Sequence, residues 1–392
     1  MTLDLGLTPN LVRLDLGHCY GLVELNVPVG CLKRLTYLNL CECKKLKSVS
    51  FIKDLESLEN LNVTGLNLKE FQGIIPSHSN SNLRQLYFNG YGKLKSLPGS
   101  ICSLQHLRVL NLGFSGIEEL PENIGKLECL EELDLKRSKI KHLPDSICKL
   151  KHLETLSLVD CEVRNLPEDF GQIESLKVLY LTSSKIIELP SSICKLKHLK
   201  YLDLSDCSGL EKLPENLGDL ESLDSLDLTS TKIRDVPSSI CKLKHLEYLG
   251  LSDCSGLEKL PENLGDLESL NNLQVSYTKI RDVPSSICKL KHLKDLDLSN
   301  CSGLEKLPQN LGELECLEYL NLVNTPISHL PDSISLLKGL YIRGYERRID
   351  PDAILFQEQQ HITFAPKTRR ANTEATTSDA GDKVKERKME DH

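Results

Sequence analysis

The sequence predicts an α/β solenoid, a curved rod of stacked short units with a parallel sheet on its concave face and short helical or 3-10 segments on its convex face. Three observations predict it. Aligned on itself, the 392-residue chain repeats every 23 or 24 residues. Pairs of apolar residues two apart recur fourteen times at that interval. Leucine does nearly all the packing, since aromatics make up 5% of residues, Trp is absent and there are two Met. Compact domains mix their core residues, so near-monotony points to one small unit used many times.

The unit is LPxxIxxLxxLxxLxLxxCxxLxx, with Thr or Ser replacing Cys in alternate copies. In xxLxLxx the two apolar residues lie on one face of a short strand. These pairs run from Leu14/Leu16 to Leu320/Leu322. The LPxxIxxLxx half has apolar residues three apart, which suits a 3-10 or helical segment. Ser or Asp after the Pro, as in Pro237-Ser238-Ser239 and Pro331-Asp332-Ser333, is expected to satisfy free N–H groups where that segment begins. No single repeat can bury its leucines, but a stack can. The expectation is a leucine-rich-repeat solenoid of about 14 repeats over residues 1–340. Residues 341–365 leave the pattern as a capping segment, and 366–392 are a charged tail of disordered composition. Met1 falls inside a repeat-like segment with no cap, which suggests a piece of a longer protein.

Composition excludes several functions. A net charge of −8 gives no basic face for phosphates. No apolar run approaches the ~18 residues of a membrane span. The start, MTLDLGLTPNLVRLDL, lacks the pattern of a signal peptide. Fifteen cysteines are enough for a secreted disulfide framework. Their spacing argues otherwise: Cys148, Cys194, Cys241 and Cys288 recur every 46 or 47 residues, as do Cys161, Cys207, Cys254 and Cys301. Two repeats separate successive members by about 10 Å, beyond the ~7 Å that a disulfide spans. The recurring Cys-x₃-His, as in Cys194/His198, fails as a zinc site for the same reason. Gly218 and Gly265 stand at the equivalent place in intervening repeats, so small residues there point to close packing. His106, Cys129 and His152 fall on adjacent repeats and are weighed as a chance site only. No carboxylate pair stands in a context that marks acid–base catalysis. The chain is therefore read as a non-enzyme with no cofactor and no metal, in a reducing, cytoplasmic setting. Lys367-Thr368-Arg369-Arg370 and the basic run 383–388 leave nuclear entry open, though a soluble tail is the commoner source of such strings.

The internal duplication carries the functional reading. Residues 205–223 and 252–270 are identical, as are 231–246 and 278–293. Between those blocks, 224–230 (DSLDLTS) and 271–277 (NNLQVSY) differ at six of seven positions. The next strand behaves likewise, with Glu247-Tyr248-Leu249-Gly250-Leu251 against Lys294-Asp295-Leu296-Asp297-Leu298. Drift at tolerant positions would also have reached the exposed helical side, which did not change. The varied positions therefore point to recognition of a protein by the concave face, at Tyr201, Asp203, Ser225, Asp227, Tyr248, Asn272, Gln274, Tyr277, Asp295, Asp297, Tyr319 and Asn321. Tyr supplies contact area at low entropy cost, and the acidic bias predicts a partner with a basic patch. On the convex side two charge ladders are expected. One runs Glu128, Lys151, Glu174, Lys197, Glu221, Lys244, Glu268, Lys291, Glu315; a shorter one runs Lys195, Asp219, Lys242, Asp266, Lys289, Glu313.

LPxxIxxL, LDLSDCSGLEKLPENLGDLESL and LDLTSTKIRDVPSSICKLKHL resemble the leucine-rich-repeat region of plant intracellular disease-resistance receptors, especially the Toll/interleukin-receptor class (TIR-NBS-LRR). The resemblance covers roughly residues 1–340. It implies a sensor of pathogen proteins that also restrains a nucleotide-binding switch domain and takes part in defense signalling. The chain has no GxxxxGK[ST] loop and no Toll-type domain, so that family's nucleotide and NAD chemistry does not transfer. Secreted plant repeats usually show LxGxIP, where this chain has LP. The alternative is a freestanding scaffold resembling the Ras-associated leucine-rich-repeat proteins. Those commonly place Asn after the strand, where Cys, Thr and Ser prevail here.

Overall fold

The computed structural model describes residues 1–345 apart from residue 29 and residues 67–81. These residues form one compact unit, Met1–Tyr345. It is a curved solenoid whose main sheet holds fifteen parallel three-residue strands among the described residues, from Arg13–Asp15 to Tyr341–Arg343. Each strand is x-apolar-x, and the central residue pairs with its equivalent one repeat on, as in Leu202↔Leu226↔Leu249↔Leu273. Those four leucines are wholly buried. The flanking residues face the concave side. Strands hold about 4.8 Å between neighbours, and the bulkier convex side needs more, which bends the stack.

Two short strands lie outside this sheet. Thr2–Asp4 pairs with Glu24–Asn26, passing over Arg13–Asp15. They start a second row that continues through the bond from the Lys47 N–H to the Val23 carbonyl. The main sheet also runs past residue 340, because Tyr341–Arg343 pairs with Tyr319–Asn321. The rest of the expected capping segment and the tail at 366–392 lie outside the described residues.

The convex segments are 3-10, of five residues in SSICK copies such as Ser238–Lys242 and three in LGD copies such as Leu217–Asp219. The expected caps are absent: Ser238, Ser239, Asp332 and Ser333 make no capping bond to their own segments. The Ser239 hydroxyl instead accepts the Gly218 N–H of the preceding repeat at 3.2 Å. Ser333 does the same for Gly312 at 2.9 Å. A single 3-10 turn frees few N–H groups, and the neighbouring repeat's amide sits closer.

That bond marks a two-repeat period. Gly125, Gly171, Gly218, Gly265 and Gly312 each lie against the backbone carbonyl of a serine in the following repeat, so closely that a Cβ would collide with it. The same two repeats are joined on the opposite flank. Thr231 lies 3.4 Å from Cys254, whose thiol donates to the Leu228 carbonyl at 3.2 Å. Thr278 and Cys301 repeat the arrangement, with Ser replacing Thr at Ser138/Cys161 and Ser184/Cys207.

The junction between one such pair and the next is different. There Lys197 reaches Glu221 at 2.6 Å, Lys244 reaches Glu268 at 2.6 Å and Lys291 reaches Glu315 at 3.2 Å. Each lysine also donates to a backbone carbonyl, Lys197 to that of Asp219 at 2.9 Å. The expected long ladder thus resolves into separate pairs, and the shorter one into a single contact, Lys242–Asp219 at 4.0 Å. Lys197, Lys244 and Lys291 each pair with the repeat ahead, across the junction that lacks the Gly–Ser contact.

Exposed pairs of this kind contribute little and are screened by salt. The Lys197 ammonium and the bond it donates hold the Glu221 carboxyl below the usual range. A depressed folded-state pKa adds stability above the unfolded value, and that stability is lost as pH falls through the folded one. Lys197→Glu with Lys244→Glu should lower the melting temperature near pH 7 in low salt, and the deficit should shrink in 0.5 M salt (roughly a 4 Å screening length). A variant unchanged at low salt would remove the pairs from the account of stability.

Candidate functional site

The concave face is built from the two outward residues of each strand. Register sets them in two rows, Tyr201–Ser225–Tyr248–Asn272–Asp295–Tyr319 and Asp203–Asp227–Gly250–Gln274–Asp297–Asn321. Most are half-buried against their neighbours, while Gly250 and Asn321 are buried. Eleven of the twelve expected site residues stand in these rows. Tyr277 does not: it occupies the turn after its strand, in the left-handed region at φ 57, and is 60% exposed. It flanks the sheet beyond the strand end, beside the rows that hold the other eleven. Alternation along a strand places the residues within it and not those of the turn that follows.

Part of the acidic character serves the backbone. Oδ1 of Asp203 accepts the Ser205 N–H at 2.9 Å and its hydroxyl at 2.6 Å. Asp227 accepts the Thr229 N–H at 2.9 Å and Asp297 that of Ser299 at 2.8 Å. These are Asx turns, in which the side chain supplies the acceptor that ends the strand. The Asp-Leu-Ser and Asp-Leu-Thr strings carried the signal, which a reading fixed on recognition passed over. Asp297 is fully engaged, since its Oδ2 accepts from Asn321 at 3.1 Å. Gln274 donates to Asn272 at 2.6 Å and to Asp295 at 3.3 Å. Burial raises the Asp295 carboxyl pKa, with the Gln274 bond opposing it.

Charge is nonetheless one-sided. From Thr155–Ser157 to Tyr319–Asn321 the outward positions hold four aspartates and neither Lys nor Arg. Tyrosines lie among them. Tyr180, missing from the expected set although it is the register partner of Asp203, packs on Tyr201 with ring centroids 5.2 Å apart at 54°. Burial, then the Asp203 carboxylate, pushes the Tyr201 phenol up to about 12, and burial with Asp227 does the same for Tyr248. Both hydroxyls therefore stay protonated at neutral pH. Toward the chain start the face changes character: Arg13 stacks over Tyr37 with its guanidinium 4.0 Å from the ring centroid.

Among the described residues no group of three His, Cys, Asp or Glu side chains could hold a metal ion, His106, Cys129 and His152 included. All fifteen cysteines are free thiols. Burial, reinforced by Asp219 and Asp266, pushes the Cys194 and Cys241 thiols up to about 11. Cys129 and Cys316 are exposed, whereas Cys207, Cys254 and Cys301 are wholly buried. Iodoacetamide on the native chain should therefore label Cys129 and Cys316 first, and the buried three only after denaturation. Early labelling of Cys254, read by peptide mass mapping, would contradict the packed Thr231–Cys254 contact.

The leucine-rich repeat region family matches the chain over residues 66–185, 191–247 and 240–304, more than half its length. Disease resistance protein RPP2A of Arabidopsis thaliana is 31% identical over 114 residues, which cover 29% of this chain and 8% of that protein. TMV resistance protein N of Nicotiana glutinosa is 30% identical over 150 residues, 32% of this chain and 13% of that one. The chain thus spans only a small part of these relatives. Among solved structures, the leucine-rich-repeat protein LIC12759 of Leptospira interrogans is 31% identical with a TM-score of 0.74, covering 87% of this chain and 86% of that one. The repeat region in plant disease-resistance proteins is related to this one, and the solenoid they share is a non-catalytic scaffold for binding proteins. The chain belongs to the leucine-rich repeat family.

Proposed function

We propose that the chain is the recognition module of a plant intracellular innate-immune receptor, sensing a pathogen protein, or a host protein that a pathogen alters, through the concave rows. The observation that carries this reading is where the duplicated copies differ. Turns and convex segments are identical over 205–223 and 252–270, while Ser225, Asp227, Tyr248 and Gly250 are replaced by Asn272, Gln274, Asp295 and Asp297. Packing explains the identical parts. It does not explain why every change falls in or beside the two strands, with all four outward strand positions replaced. Similarity to RPP2A and to the tobacco N protein supports the immune setting. In that setting the module sits in the cytoplasm, with nuclear entry open, and its occupancy is relayed to a nucleotide-binding switch domain.

The test exchanges the faces and keeps the scaffold. Residues 224–230 receive the side chains of 271–277 in one variant, which is six substitutions that the fold already tolerates one duplication further on. Wild type and variant are compared for proteins retained from infected and uninfected leaf extract. A protein held by the wild type at least 10-fold better than by the variant, about 1.4 kcal/mol, supports concave recognition. Identical retention by both chains removes it.

A further inference from the structure

Within that concave reading, on which this inference rests, we propose that Tyr201, Ser225 and Tyr248, with Asp203 and Asp227, form a slot for one arginine side chain presented by the protein partner.

The slot follows from register. Tyr201, Ser225 and Tyr248 are consecutive in one row, so two strand spacings, about 10 Å, separate the tyrosines. Ser225 is the small floor between them. Each tyrosine is held away from that floor. Tyr201 leans toward Tyr180 on the preceding strand. Tyr248 lies along its own strand over Gly250, with its hydroxyl 2.8 Å from where a Cβ on that glycine would stand. Oδ1 of Asp227 lies over the same glycine, 2.6 Å from that Cβ position, and the other copy has Asp297 there.

Two carboxylates close one end. Asp203 and Asp227 are register partners, and each spends Oδ1 on its Asx turn. Among the described residues no donor reaches the second oxygen of either, and no cation lies within ion-pair distance. Asp203 and Asp227 are adjacent carboxylates, so one bound cation can serve both. A guanidinium fits this surround better than an ammonium. It is planar and stacks on phenol rings, and its fork of donors can serve two neighbouring carboxylates together. The slot is also local. One repeat pair later its positions read Asn272, Gln274, Asp295 and Asp297, where a longer floor and a filled notch replace it.

Acetyl-Gly-Arg-Gly-amide, titrated into the full chain with ¹³C-labelled tyrosine, tests the slot. Eleven tyrosines and no tryptophan keep the ring spectrum sparse. The expected result is saturable shifts of a few rings, Tyr201 and Tyr248 included. The citrulline peptide, which is neutral, should bind at least 10-fold more weakly, and the lysine peptide more weakly than arginine. Ser225→Asn with Asp227→Gln gives the slot the side chains of the second copy, and should lose the response while keeping its melting temperature. Glu258→Gln, at an exposed carboxylate off the two rows, should leave it unchanged. Three results overturn the slot: no saturable shift, equal binding of the citrulline peptide, or an unaltered response in the first double variant. A failed slot leaves the block-exchange result standing, since concave recognition then uses other side chains.

Discussion

Gly218→Ala should destabilise the solenoid by about 1–3 kcal/mol, the usual cost of forcing a methyl into a packed contact. Gly265→Ala should do the same, and the two should add because they lie in separate repeat pairs. The obstruction is a backbone carbonyl, that of Ser239 or Ser286, and not the movable tip of a side chain. Making room would push apart two 3-10 segments and break the bonds from Gly218 to Ser239 at 3.2 Å and from Gly265 to Ser286 at 3.1 Å. Gly99→Ala is the internal control, because nothing lies within 4 Å of its Cβ position. There alanine only removes freedom from the unfolded chain and should be neutral or stabilising by about 0.4–1 kcal/mol. Urea unfolding followed by circular dichroism measures all three. Equal effects of Gly218→Ala and Gly99→Ala would show that the close approach is not maintained in solution.

Leu249→Ala should cost about 3–5 kcal/mol, in the upper range for a fully buried leucine. Leu249 is 0% exposed and stands in register between Leu226 and Leu273. In a linear stack each repeat touches only its neighbours, so a lesion here weakens two interfaces and can split one unfolding transition into two. Tyr248→Phe, one residue earlier, should leave stability within about 0.5 kcal/mol, as for a surface change, since its ring still lies over Gly250. A loss in the leucine variant no larger than in the tyrosine variant would contradict the inward and outward assignment of the two residues.

The division between these two residues was legible before any coordinates. Period-two patterning sends Leu249 inward and Tyr248 outward, because successive strand side chains must point to opposite faces. The repeat length, the parallel sheet, the 3-10 segments and the outward strand positions of eleven of the twelve candidate residues follow from the same local periodicity.

Tertiary structure decided how the repeats meet. The sequence places Lys197 near Glu174 and Glu221 alike, and only the packed stack shows that it pairs with Glu221. It offers Ser239 as a cap for its own segment, and only the nearness of the Gly218 amide claims that hydroxyl. It gives Tyr277 and Tyr248 equal standing as concave aromatics, and the left-handed turn sets Tyr277 beyond the strand end. Local periodicity fixes which face a residue takes, since it depends on backbone geometry alone. Which neighbour a polar side chain then chooses depends on distances of a few tenths of an ångström across the repeat interface, and those exist only in the packed stack.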